Sequence, residues 1–134
     1  MSGADRVPVL RLEGVLLTGI QTELTDDVAA ALRDDLLAEV AAAGADGAII
    51  DITAVQVIDS YLARVLTEIA AAVRLMGART VVAGMKPAVA ITLVEMGLDL
   101  PGVVMCRSLS DALRTLAVAA PGGVRPSAPA DGPR

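Results

Sequence analysis

The stretch Val55-Gln-Val-Ile-Asp-Ser-Tyr-Leu-Ala-Arg-Val-Leu66 decides the fold, because an apolar strand ends just before it and an amphipathic helix begins within it. Asp59 is predicted to be the N-cap, since its carboxylate can accept hydrogen bonds from first-turn amides. Ser60 would then be the first helical residue, where the helix dipole and free N–H groups favour a phosphate. The junction predicts a charge switch on a rigid domain; taken alone, an Asp-Ser pair is more simply a solvated helix start.

Strand and helix patterns alternate along the rest of the chain. Apolar runs predict strands at Val7–Leu12, Val15–Ile20, Gly47–Ile52, Thr80–Ala83 and Val103–Met105. Helices are predicted from about Thr25 to Ala43, Ser60 to Met76, Pro87 to Met96 and Ser108 to about Ala120. Glu13-Gly14 reads as a hairpin turn, and the later strand-helix-strand units favour parallel neighbours. The fold class is therefore α/β, with a mixed, largely parallel sheet of about five strands and four or more helices.

Two helices carry an apolar stripe that predicts their buried faces. In the first helix the stripe is Val28, Leu32, Leu36 and Val40; in the second it is Leu62, Val65, Leu66, Ile69, Val73 and Met76. The predicted organisation is an N-terminal arm over 1–6, one domain over 7–120 and a disordered Pro/Gly/Ala-rich tail over 121–134.

Composition closes several function classes. The 134 residues carry a formal charge of −5 with a single aromatic side chain, Tyr61, which argues against nucleic-acid binding. Histidine is absent, so Ser-His-Asp nucleophiles and imidazole zinc sites are excluded. No cofactor, metal or enzymatic activity is predicted.

The expected location is the cytoplasm. Charges interrupt every apolar segment before it reaches the roughly 18 residues of a membrane span, and the first residues lack a secretory signal. The one cysteine, Cys106, cannot form an intramolecular disulfide; it is predicted to be a small buried residue near the last strand.

The order of elements and the Asp59-Ser60 junction resemble the STAS domain of anti-sigma factor antagonists. The motifs that narrow the resemblance to its RsbS branch are Gly19-Ile-Gln21 with Glu23-Leu24, Ile50-Asp-Ile-Thr53, Val57-Ile-Asp-Ser60, Leu75-Met-Gly-Ala78, and Pro87-Ala-Val-Ala90 to Glu95-Met-Gly97. Each motif is weak, but their order and spacing over about Val7 to Leu116 are specific. Tyr61-Leu62 follows the junction where the simple antagonists have a small residue and glycine, and this favours the RsbS-like stressosome proteins.

The resemblance implies a regulatory scaffold. RsbS-like proteins co-assemble with RsbR-type STAS paralogues into a homo- or hetero-oligomeric shell, the stressosome, which captures an RsbT-type serine kinase. Under stress the kinase phosphorylates the scaffold serine, which is Ser60 in this sequence, and leaves. Asp59 would add a role in kinase recognition to its capping role.

Four further residues form a candidate partner surface: Tyr61, Arg64, Asp51 and Thr53. Tyr61 is either an interface anchor or a core residue, and turn chemistry explains Asp51 and Thr53 equally well. Thr92 is a second phosphate acceptor or, more simply, caps local carbonyls.

Two other functions remain open at this point. One is a soluble antagonist that sequesters an anti-sigma kinase in a small complex. The other, less favoured, is a ligand-binding STAS domain that uses the corner formed by Asp51, Thr53 and Asp59.

Overall fold

The structure, a computed structural model, describes residues 6–21 and 24–119. Residues 1–5 of the predicted arm, the predicted tail over 121–134, and Glu23 of the first family motif lie outside the described residues. The strands are β1 (Leu10–Leu12), β2 (Val15–Gly19), β3 (Gly47–Asp51), β4 (Arg79–Ala83) and β5 (Val104–Cys106). The helices are α1 (Asp26–Ala43), α2 (Ser60–Leu75), α3 (Pro87–Glu95) and α4 (Leu109–Ala119).

The five strands form one mixed sheet in the order β1-β2-β3-β4-β5, which confirms the predicted α/β fold. β1 is antiparallel to β2, and every later neighbour is parallel. Because each crossover moves the chain one strand in the same direction, right-handed connections place α1, α2 and α3 on the same face of the sheet. The helix after the last strand, α4, is free to cover the other face.

Two apolar clusters follow from this arrangement. The larger lies between the sheet and the first three helices, around buried residues such as Leu36, Ile50 and Ile69. The smaller lies under α4, where Ala112 and Leu116 pack on Ile49 and Val81 of the central strands. A core without Phe or Trp is thus built from aliphatic side chains on both faces of β3 and β4.

The first strand is shorter than the predicted Val7–Leu12. Only Leu10–Leu12 pairs with β2. A two-residue turn connects the two strands, and both of its residues, Glu13 and Gly14, have positive φ. Pro8 lies before the strand, and its carbonyl accepts a hydrogen bond from the Thr18 hydroxyl at 2.9 Å. That side-chain contact replaces strand pairing at this end of the sheet.

The predicted stripes and the last strand need small corrections. Val28 is half-buried and its neighbour Ala29 takes the core position, while Met76 is 43% exposed because α2 has ended at Leu75. β5 begins one residue later than predicted, and Cys106 is half-buried, with its sulfur 3.7 Å from the Thr115 hydroxyl. Within the described residues, no helix has the length and apolar character needed to cross a bilayer.

Candidate functional site

Ser60 is exposed at the first position of α2, directly after its N-cap. The Asp59 carboxylate accepts a hydrogen bond from the Leu62 amide at 2.8 Å, and the Asp59 carbonyl accepts one from the Ala63 amide at 3.0 Å. Among the described residues, the Ser60 hydroxyl makes no hydrogen bond. The helix start is therefore held by the backbone and by Asp59, and a change at the Ser60 oxygen leaves these bonds intact.

The loop between β3 and α2 is anchored by its own apolar residues. Val55 and Ile58 are buried in the larger cluster, and the Val55 amide donates to the Ile52 carbonyl at 2.9 Å. Val57, between them, is 66% exposed. Two buried anchors in the residues before α2 give Ser60 a defined position at the surface.

A groove of about 420 Å³ runs beside Ser60. Its lining comes from α2 and from the turn after α3: Ser60, Arg64, Thr67, Glu68, Met96 and Leu98. The Ser60 hydroxyl therefore shares one concave surface with a cation, a carboxylate and two apolar side chains.

The carboxylate of this groove is already paired. Arg33 of α1 donates to Glu68 at 2.8 Å and to Asp34 at 3.1 Å. These hydrogen bonds, with the one to Glu68 the stronger cause, raise the pKa of the Arg33 guanidinium above its ordinary value. Arg64 is exposed and has no ion-pair partner among residues 6–21 and 24–119, so its guanidinium is available to an incoming anion.

Asp51 and Thr53 form a turn of their own at the carboxyl end of β3. Asp51 accepts hydrogen bonds from the Thr53 amide at 3.0 Å and from its hydroxyl at 2.6 Å. Lys86 then donates to the Thr53 carbonyl at 2.5 Å, tying this turn to the start of α3. Neither Asp51 nor Thr53 lines the groove beside Ser60, and their role as a partner surface stays a prediction.

Tyr61 and Thr92 each make local contacts, and the interface role of Tyr61 and the modification of Thr92 stay predictions. Tyr61 is half-buried against the larger cluster, and the Thr92 hydroxyl donates to the Ala88 carbonyl at 2.9 Å. In the described part of the chain, no three His, Cys, Asp or Glu side chains come together to hold a metal ion.

Comparison with known proteins identifies the family. The model of the STAS domain matches residues 6–112. The chain belongs to the STAS-domain family. This STAS domain is 30% identical over 112 residues to the RsbT co-antagonist protein RsbRA of Bacillus subtilis (strain 168); the match covers 84% of this chain and 40% of RsbRA, so the chain spans about two-fifths of that relative.

Solved structures narrow the likeness to RsbS. A serine-to-glutamate variant of RsbS from Moorella thermoacetica superposes with a TM-score of 0.74 at 38% identity, covering 83% of this chain and 97% of that one. A chain of the solved structure described as the molecular architecture of the stressosome superposes with a TM-score of 0.68 at 36% identity. The match covers 82% of this chain and 98% of that one. The anti-sigma factor antagonist SpoIIAA, at 10% identity and a TM-score of 0.67, shares the fold alone.

Sequence reasoning missed part of the groove. Thr67 and Glu68 follow Arg64 on α2, and helical spacing could have placed Glu68 beside it. Met96 and Leu98 reach the groove only because the turn after α3 lies beside α2, and no local pattern indicates that. The bond from Lys86 to Thr53 was equally hidden, because it joins two loops that are distant in sequence.

Asp59→Ala is expected to lower the free energy of unfolding by about 0.5–2 kcal/mol, because the Leu62 amide loses its acceptor. Urea unfolding measures this loss. Asp59→Asn is the matched control, since the amide oxygen still caps the helix and the variant should remain within a few tenths of a kcal/mol of the unsubstituted protein. A loss in Asp59→Asn equal to that in Asp59→Ala would contradict the capping role.

Proposed function

We propose that this STAS domain is an RsbS-like regulatory scaffold of the cytoplasm, not an enzyme. It co-assembles with RsbR-type paralogues into a stressosome, sequesters an RsbT-type serine kinase, and releases that kinase when Ser60 is phosphorylated. The observation that carries the proposal is the exposed Ser60 hydroxyl at the capped start of α2, in a chain 38% identical to RsbS over 97% of the RsbS chain.

The local structure supports a switch that acts by charge. Phosphorylation would add about −1.5 to −2 charges at neutral pH, while the hydrogen bonds of Asp59 keep the helix start in place. A partner docked over Ser60 would meet a new dianion on an otherwise unchanged surface. Release then requires no refolding of the domain.

The relatives support the choice of partners. RsbRA is described as a co-antagonist of RsbT, and a chain similar to this one forms part of the stressosome architecture. A STAS domain similar to both fits the role of the small subunit in a mixed shell. Kinase capture and the shell itself are part of the proposal.

Mass spectrometry after incubation with ATP and an RsbT-type kinase, with an RsbR-type partner added, tests the acceptor. We expect one phosphate on Ser60 and its complete loss in Ser60→Ala. Ser110→Ala is the matched control, because Ser110 is also an exposed helical serine, and it should be phosphorylated normally. An unphosphorylated Ser60, with the kinase active on another substrate, would refute the switch.

Size-exclusion chromatography with light scattering, run on the protein mixed with its RsbR-type partner, distinguishes the scaffold from a soluble anti-sigma factor antagonist. The scaffold should elute with the RsbR-type partner as a particle far larger than a one-to-one complex. A small complex with a kinase, and no large particle with any RsbR-type partner, would favour the soluble antagonist.

A further inference from the structure

We infer that Arg64 is the counter-charge of the phosphate on Ser60. Its guanidinium pairs with that phosphate, so the groove no longer presents an unpaired cation. The inference rests on the proposed phosphorylation of Ser60. It gives Arg64 a role within this chain, namely to neutralise part of the phosphate charge, where the sequence suggested only a contact with a partner.

Helix geometry brings the two side chains together. Ser60 and Arg64 are four residues apart on α2 and line the same groove, and residues at this spacing are neighbours with about 5–6 Å between their Cβ atoms. Side chains on a helix lean toward its N-terminus. A side chain at position 64 is therefore within reach of the turn that carries Ser60.

The order of charges also favours the pair. An anion placed four residues before a cation is the better arrangement on a helix, and phosphoserine at 60 with Arg64 has that order. The competing carboxylate, Glu68, stands four residues after Arg64 in the poorer order. Glu68 is moreover held by Arg33 at 2.8 Å.

The phosphate removes the unpaired cation of the groove. Without phosphate, Arg64 presents a free guanidinium, while Glu68 is bound to Arg33. A phosphate of about −1.5 to −2 outweighs the single charge of Arg64, so the Ser60–Arg64 pair itself carries a net negative charge of about one-half to one. Since Asp59 already adds a carboxylate next to Ser60, Arg64 also relieves the repulsion that the phosphate would meet there.

Phosphoserine inserted at position 60 during translation tests the pairing without any kinase. A phosphorus NMR titration gives the second pKa of the phosphate, ordinarily about 6. A neighbouring cation favours the dianion and lowers this pKa. We expect R64Q to raise it by about 0.2–0.7, R64K to keep it below the R64Q value, and 1 M NaCl to reduce the difference.

The matched control is R74Q. Arg74 is an exposed arginine of the same helix that lines a different groove, with Leu100 and Pro101, so R74Q removes the same net charge and should leave the phosphate pKa unchanged. Equal pKa values in the R64Q and unsubstituted proteins would overturn the inference, as would equal rises in R64Q and R74Q. Failure of a kinase to phosphorylate Ser60 would count against the proposed function and would leave this titration interpretable.

Discussion

Replacing Gly84 by alanine is expected to lower the free energy of unfolding by about 2–5 kcal/mol. Gly84 follows β4 with φ of +79°, where an L side chain is strained. A Cβ at this position would overlap the Thr53 hydroxyl and lie 2.9 Å from Thr53 Cβ and 3.0 Å from Thr53 Cα. Rotating the Thr53 side chain would break the hydrogen bond from its hydroxyl to Asp51. The contact of the added Cβ with Thr53 Cα would remain.

Gly77→Ala separates the two causes. Gly77 has φ of +87°, and a Cβ added there would have no neighbouring atom within 4 Å, so this variant carries the conformational cost of about 1–2 kcal/mol without the collision. Urea unfolding of both variants should show Gly84→Ala less stable than Gly77→Ala by about 1–3 kcal/mol. Equal stabilities would mean that the close approach to Thr53 contributes nothing.

The second large effect concerns the kinase. Phosphoserine at position 60 is expected to weaken binding of an RsbT-type kinase about 5- to 150-fold, which corresponds to a loss of roughly 1–3 kcal/mol. The physical reason is that a kinase surface fitted to the uncharged Ser60 hydroxyl and the free Arg64 guanidinium would meet a phosphoserine–Arg64 pair with a net negative charge. Ser60→Ala should bind as the unmodified protein does, and Ser60→Asp should weaken binding less than the phosphate does, because it adds a single charge.

Calorimetry of each form with the ADP-bound kinase measures this change. Phosphoserine at position 110 is the matched control, since it adds the same charge at another exposed helical serine on α4. We expect that form to bind normally. If phosphate at 60 and phosphate at 110 weakened binding equally, the effect would reflect net charge and not the surface around Ser60.

Local patterns predicted the four helices and placed their ends within about one residue. Thr25 caps α1 through a hydrogen bond from the Val28 amide, and Gly44 ends that helix with φ of 60°. Asp59 likewise caps α2. These signals are readable because a cap and the amide that it serves lie within three or four residues of each other.

The edges of the sheet were less predictable. The apolar run from Val7 suggested a six-residue strand, but pairing with β2 extends over Leu10–Leu12 alone. Strand ends depend on where a partner strand begins and on which side chains take over its hydrogen bonds, as Thr18 does at Pro8. A strand's own residues do not contain that information.

The sequence by itself determined the α/β class, the helix caps, the exposed serine at the start of α2 and the family that these features resemble. Tertiary structure alone decided the groove beside Ser60, the pairing of Glu68 with Arg33 and the contact of Gly84 with Thr53. The reason is physical: the first group depends on backbone geometry within one or two turns. The second depends on helices and loops that meet only after about 30 intervening residues have packed into the core.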